Sequence, residues 1–240
     1  MCRRFLVAGY VAAAILVIEV GSATAQNAIK IGVVIPMTGA FAPVGREVAA
    51  GAKLYIQQHG DTVAGQKIEL IIRDDAGVPD NGKRLTQELI VKERVSFLGA
   101  GITPTAMAMA PLVTEGKVAT VVMISGTSVV TERSPYYVRT SFTLGQQSGI
   151  IADWAIQNSS KKAVCILSDW APGTEAGKVF EQHFTKGGGQ VLDTLRVPLA
   201  NPDFAPFLQR ARSSARYAVR VRAGWTGRNA RQAIRRTWLG

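Results

Sequence analysis

Apolar and polar positions alternate in blocks along the chain, and the blocks predict strands and helices in turn. Residues 29–35 form a β-branched run closed by Pro36, the composition of a buried strand. A loop from Met37 to Gly45 leads into a helical pattern over 46–59, which Gly60 should end. Strands follow at 67–73, 95–98 and 118–124, separated by helical stretches at 82–92 and from Thr103 or Pro104 onward. After Tyr136-Tyr137-Val138-Arg139-Thr140 the alternation restarts. It gives a helix over 145–158, a strand over 163–167, a loop over 168–173, a helix over 174–186, a strand over 190–198 and a helix begun at 204–212. Continuous apolar strands alternating with helices argue for an α/β fold with parallel sheets covered on both faces. The restart argues for two similar lobes rather than one long sheet. Right-handed crossovers put the strand-to-helix loops of each lobe at one edge, where such sheets bind ligands.

The first 25 residues read as an export signal. Met1 to Arg4 are a short positive region, residues 5–18 are apolar, and Ala23-Thr24-Ala25 supplies a small-x-small cleavage pattern. An uncleaved membrane anchor is the alternative, although the apolar run is short of the ~20 residues a span needs. The expected location is therefore the periplasm. Removal of the leader leaves Cys165 as the sole cysteine, inside an apolar run that reads as a core strand, so no intramolecular disulfide is expected. His59 and His183 lack companions at metal-ligand spacing, and no metal or cofactor is expected.

Charge sharpens the division of the chain. The formal net charge is +11, but residues 213–240 carry seven arginines and no acid. With the leader also set aside, only +3 remains on residues 26–212. A nucleic-acid or anionic-lipid reading would rest on that last stretch alone, and export removes the protein from cytosolic nucleic acid.

Candidate chemistry gathers in the loops after the strands. Thr103, Thr105, Ser125, Thr127 and Ser128 follow predicted strands and stand beside glycines. Hydroxyls and free amides at a helix N-terminus favour a carboxylate. Each residue alone could equally be a helix cap; together at one sheet edge they indicate a ligand site. Gly99-Ala100-Gly101 is half of a dinucleotide fingerprint and lacks its third glycine. Asp74 and Asp75 leave a strand on opposite faces, which suits turn formation better than paired acid catalysis. The chain holds no nucleophile elbow, phosphate loop or zinc-protease motif, so no catalytic residues are assigned. An α/β enzyme stays as an alternative.

These residues carry a resemblance. The segment from Ile29 through Pro36 to Gly39 resembles the opening strand and loop of periplasmic substrate-binding proteins of ABC importers, of the leucine/isoleucine/valine-binding (type I) branch. Asp74-Asp75 with Pro79, Gly99 with the loop from Thr103 to Thr105, the turn from Ser125 to Ser128, and the loop from Ser168 to Gly173 follow in that family's order. The resemblance spans about residues 28–212. It implies two Rossmann-like parallel-sheet lobes that close on a small solute, a branched-chain amino acid or similar small carboxylate. It implies an ABC permease in the inner membrane as partner, and a monomer that binds no nucleic acid. By the same resemblance Thr103 and Thr127 would give hydroxyl contacts, Ser125 its carbonyl to an ammonium group, and Phe41 or Val44 a pocket wall. Where relatives place a tyrosine near Gly173, this chain has Trp170 and Pro172, which leaves room for an aromatic ligand on which Trp170 could stack.

The implied organisation is a signal peptide at 1–25, a first lobe at 26–144, a partial second lobe at 145–212 and an aberrant arginine-rich tail at 213–240. Family members continue well beyond this length, so the second lobe is expected to be incomplete through truncation or a frameshift near Arg212–Arg216. Read one nucleotide downstream with suitable synonymous codons, the tail gives an apolar strand, a glycine loop and a helix. Trp225-Thr226 and Trp238-Leu239 each force a glycine in that frame. A product of this kind is expected to bind amino acids poorly or not at all. The alternative is a genuine basic arm for anionic lipid or nucleic acid.

Overall fold

The structure is a computed structural model that describes residues 28–199, 203–214 and 219–223. The stretch expected to be an export signal and most of the arginine-rich stretch lie outside the described residues.

In the first lobe the elements run β1 (Ile29–Ile35), α1 (Ala42–His59), β2 (Thr62–Val63), β3 (Gln66–Asp74), α2 (Pro79–Val91), β4 (Phe97–Ala100), α3 (Thr103–Gly116) and β5 (Ala119–Val122). A 3-10 helix (Ser128–Arg133) and β6 (Tyr137–Arg139) complete it. The sheet order is β2-β3-β1-β4-β5-β6. All pairs are parallel except β2-β3, so the expected parallel sheet carries one short antiparallel edge strand and is mixed. The cause is local: Ala64 (φ 49°) and Gly65 (φ 78°) both take positive φ in a two-residue hairpin turn, which returns the chain antiparallel. Val34, Leu98, Ala100 and Val122 pack under α2 and α3 against Leu89, Met109 and Val113, while Val33 and Ile35 on the opposite face meet Ala49 of α1.

The second lobe contains α4 (Leu144–Gln157), β7 (Lys162–Ser168), α5 (Ala171–Lys186), β8 (Gln190–Val197), α6 (Ala205–Ser214) and β9 (Val219–Ala223). Its sheet is parallel, in the order β8-β7-β9. Thus Val219–Ala223, within the stretch the sequence sets apart, lies alongside β7 in register Ala163↔Val219 to Leu167↔Ala223. Strand β7 is the centre of the lobe. Ala163, Cys165 and Leu167 face Phe180 and Phe184 of α5, and Val164 and Ile166 face Phe204, Leu208 and Ala211. Cys165 is buried, and burial pushes its thiol up to about 12, in keeping with a core residue. A capping box between Thr143 and Gln146 fixes where α4 begins after β6.

Four helices carry a proline in the first turn, and each of them starts earlier than, or at the early edge of, its sequence-predicted bounds. Pro43 opens α1, Pro79 α2, Pro104 α3 and Pro172 α5. Proline suits that position because its missing N–H would have no intrahelical partner there. The early starts draw the loops tight, so Phe41 and Trp170 stand immediately before α1 and α5. Among the described residues no helix is long and apolar enough to cross a membrane.

Candidate functional site

The chain leaves β1 toward β3 on one side and returns to β4 on the other, so β1 and β4 flank the switch point of the first sheet. The loops after these two strands bring Phe41 and Thr103 to one edge. Thr103 begins α3, whose amides ahead of the Ala106 N–H···O=C Ile102 bond lack intrahelical acceptors. The Thr103 hydroxyl donates to Thr127 Oγ1 at 3.2 Å, and the Thr127 amide approaches Thr103 Oγ1 at 3.4 Å. The Ser125 hydroxyl donates to the Gly101 carbonyl at 2.7 Å, tying the loop after β5 to the loop after β4. Thr103, Ser125 and Thr127 therefore meet, buried, at the N-terminus of a helix. The Thr103 and Ser125 hydroxyls donate within the cluster, so the Thr127 hydroxyl and the free amides at the start of α3 are the donors this corner offers an anion.

Thr105 does not join them. Its methyl lies against Gly82 of α2, where a Cβ on the glycine would come within 2.3 Å of it. Its hydroxyl is buried without a hydrogen bond of good geometry, near the equally buried Asp75 Oδ2.

Phe41 and Trp170 stack with ring centroids 5.2 Å apart and planes 25° from parallel, one from each lobe. The Trp170 Nε1–H is shielded from water and has no acceptor. Pro172 reaches the same edge: a Cβ on Gly126 would lie 3.5 Å from it. A Cβ on Gly77 would meet both Phe41 (3.7 Å) and Ile102 (3.4 Å), the residue before Thr103, so the aromatic pair stands near the hydroxyl corner.

Two residues of this region went unremarked in the sequence. Arg139 donates from Nη1 to the Ser125 carbonyl and from Nη2 to the Thr127 carbonyl, with Ser128 O a further 3.4 Å contact. Burial pushes its guanidinium below the ordinary value, and the nearby Glu175 opposes that shift. Glu175, in α5, accepts from the Ser128 amide with both carboxylate oxygens, at 3.0 and 3.1 Å. The available signal was position: Arg139 ends a strand of the first sheet, and Glu175 lies one turn into the helix after another strand.

The two adjacent acids have opposite electrostatics. Asp74 is pushed up by desolvation, but bonds from the Thr38 hydroxyl (2.7 Å) and the amides of Ala76, Met37 and Thr38 outweigh this and hold it below the usual range. It organises the loop that carries Phe41. Asp75 is raised by burial, and the Gly77 amide (2.8 Å) and the nearby Thr105 hydroxyl offset this only in part. For Asp75 the native state holds its proton to higher pH than the unfolded chain. Its contribution to stability therefore falls as pH rises from 3.8 through the native value. Asp75→Asn keeps an acceptor for the Gly77 amide and removes the buried charge. Its melting temperature relative to the natural chain is expected to climb through that window and then level off. Thermal melts over about pH 3 to 8 check this, and a difference that stays flat with pH would refute it.

Among the described residues no group of three His, Cys, Asp or Glu could hold a metal ion.

Comparison with known proteins agrees with this fold. The solute-binding protein of an ABC transporter from Rhodopseudomonas palustris BisB5, in complex with 3,4-dihydroxybenzoic acid, superposes with a TM-score of 0.85 at 51% identity, over 88% of this chain and 59% of that one. A second R. palustris solute-binding protein, in complex with 4-hydroxybenzoate, gives 0.81 at 38% identity over 89% and 58%. The Leu/Ile/Val-binding protein homolog 6 of Brucella abortus (strain 2308) is 41% identical over 200 residues, 82% of this chain and 51% of the relative. The chain spans about half the length of the curated relatives it matches. The family model described as periplasmic binding protein matches residues 28–235, and by that match the chain belongs to the periplasmic binding protein family, a family of binding proteins rather than enzymes.

Proposed function

We propose that this chain is the solute-capturing component of an ABC uptake system in the periplasm. Its cleft takes a small aromatic carboxylate of the hydroxybenzoate class and delivers it to an inner-membrane permease. The observation that carries this reading is the Phe41–Trp170 pair standing beside the Thr103–Thr127 hydroxyl corner. A carboxylate suits the helix N-terminus and its donors, and an aromatic ring can pack against the outer side of the Phe41–Trp170 stack, whose 5.2 Å centroid separation leaves no room for a ring between them. The Trp170 N–H supplies an unused donor for a ring substituent. An α-amino acid fits less well, because the Ser125 carbonyl that would receive its ammonium group already accepts from the Arg139 guanidinium. A second cation there meets a like charge. The ligands in the two R. palustris complexes support the aromatic class, whereas the Brucella relative's name points to branched-chain amino acids.

Calorimetric titration of the chain with 4-hydroxybenzoate, 3,4-dihydroxybenzoate and leucine tests the reading. The aromatic acids are expected to bind at least about tenfold tighter than leucine, a difference of about 1.4 kcal/mol. Thr127→Val should weaken them about tenfold to a hundredfold, the worth of a hydrogen bond to a charged group. Leucine binding tighter than either aromatic acid would overturn the ligand class.

A further inference from the structure

The hydroxyl corner belongs to the first lobe, yet one of its loops is gripped from the second. Ser128 follows Thr127 and opens the 3-10 helix, whose N-cap residue makes no side-chain capping bond. Its amide would therefore be an orphan donor. Glu175 takes it with both oxygens from across the cleft, 47 residues away in sequence. Arg139 holds the carbonyls of Ser125, Thr127 and Ser128 on the same short loop. The loop is thus held between a first-lobe cation and a second-lobe anion.

The grip requires the two lobes to be together. Glu175 lies in α5, the helix that Trp170 precedes, so lobe separation that parts Trp170 from Phe41 also withdraws the carboxylate from Ser128. Where it sits, the carboxylate also lies close to the start of α4, since a Cβ on Gly145 would be 3.4 Å from Glu175 Oε1. Helix position, loop position and lobe approach are joined at this side chain, alongside the bond from the Leu144 amide at the start of α4 to the Gly126 carbonyl (2.9 Å).

We propose that Glu175 is a positioning residue for closure: it captures the Ser128 amide when the lobes meet and thereby sets the Thr127 loop for the ligand. The ligand part rests on the cleft reading above, whereas the grip itself rests on the contact between lobes.

Hydrogen–deuterium exchange on the full chain tests the grip without any ligand. Glu175→Ala is expected to speed exchange at the Ser128 amide at least about tenfold, as loss of a charge-assisted bond requires. Exchange at the Ala106 amide, whose acceptor Ile102 O is in its own lobe, should stay unchanged. Glu175→Gln keeps an acceptor oxygen and should recover most of the protection. Lys178→Ala, exposed on the same helix, serves as the control. Equal exchange at Ser128 in the natural chain and in Glu175→Ala would overturn the grip.

The coupling is read by titrating the same variants with 4-hydroxybenzoate. Affinity should fall about tenfold in Glu175→Ala and return to within about threefold in Glu175→Gln. Undiminished affinity in Glu175→Ala would overturn the coupling. Failure of the natural chain to bind any of the acids or leucine would instead count against the cleft reading, with the exchange experiment still deciding the grip.

Discussion

Phe180→Ala is expected to destabilise the second lobe by about 3–5 kcal/mol, the ordinary cost of emptying a fully enclosed aromatic site. Phe180 has no exposed surface and stacks on Phe184 at 5.2 Å, and both pack on Ala163, Cys165 and Leu167 of β7. The neighbours that line its place are mostly small, so they cannot swing in to fill it. For a chain of this size about 1 kcal/mol moves the melting temperature by about 2–4 °C, so the transition should fall by about 6–20 °C. Differential scanning calorimetry measures it. A fall of less than about 3 °C would mean that the core of this lobe is loosely packed, contrary to the buried contacts.

The second large effect is predicted for Gly45→Ala. A Cβ at this position would lie 1.9 Å from the Pro36 carbonyl oxygen and 2.7 Å from its carbon, both backbone atoms. A flexible side chain could rotate away; this carbonyl cannot move without carrying the loop from Pro36 to Phe41 with it. The expected cost is at the upper end of about 1–3 kcal/mol for overpacking, and Phe41 should be displaced from Trp170. Loss of ligand-induced thermal stabilisation together with a lower melting temperature would mark both effects. An unchanged melting temperature would show that α1 can shift away from β1 at no cost. Gly173, which stands three residues after Trp170, has the same constraint, with a Cβ 2.2 Å from Ser168 O.

Both glycines show why the loops around the cleft were only half legible in the sequence. The run 37–45 contains Gly39, Pro43 and Gly45 and reads as loop. The structure carries helix back to Ala42, because Pro43 is at home in a first turn and Gly45 admits the close passage of Pro36. A proline announces that a helix cannot continue through it from before; the same residue starts one equally well. Sequence spacing does not distinguish the two when glycines surround it. The edge strand β2 was missed for a related reason, since two residues are too few for period-two alternation to register.

The candidate site divides along the same line. Thr103, Ser125 and Thr127 were legible because they lie within a few residues after runs of apolar strand residues, and the α/β topology brings strand ends to one edge. Thr105 was grouped with them by position in the chain, but helical rotation of two residues carries its side chain round toward Gly82. Arg139 and Glu175 act through contacts 11–14 and 47 residues away, and no local pattern announces either partner.

By itself the sequence determined the alternation of apolar strands with amphipathic helices, and hence an α/β fold of two units whose strand-end loops carry the chemistry. These are properties of residues close together in the chain, because strand and helix periodicities are local. Only the tertiary structure decided which hydroxyls meet, that Phe41 and Trp170 face one another, and that Arg139 and Glu175 hold one loop from opposite lobes. Those facts depend on how two lobes separated by dozens of residues are packed. That packing is set by the sum of many weak contacts and cannot be read from any one segment.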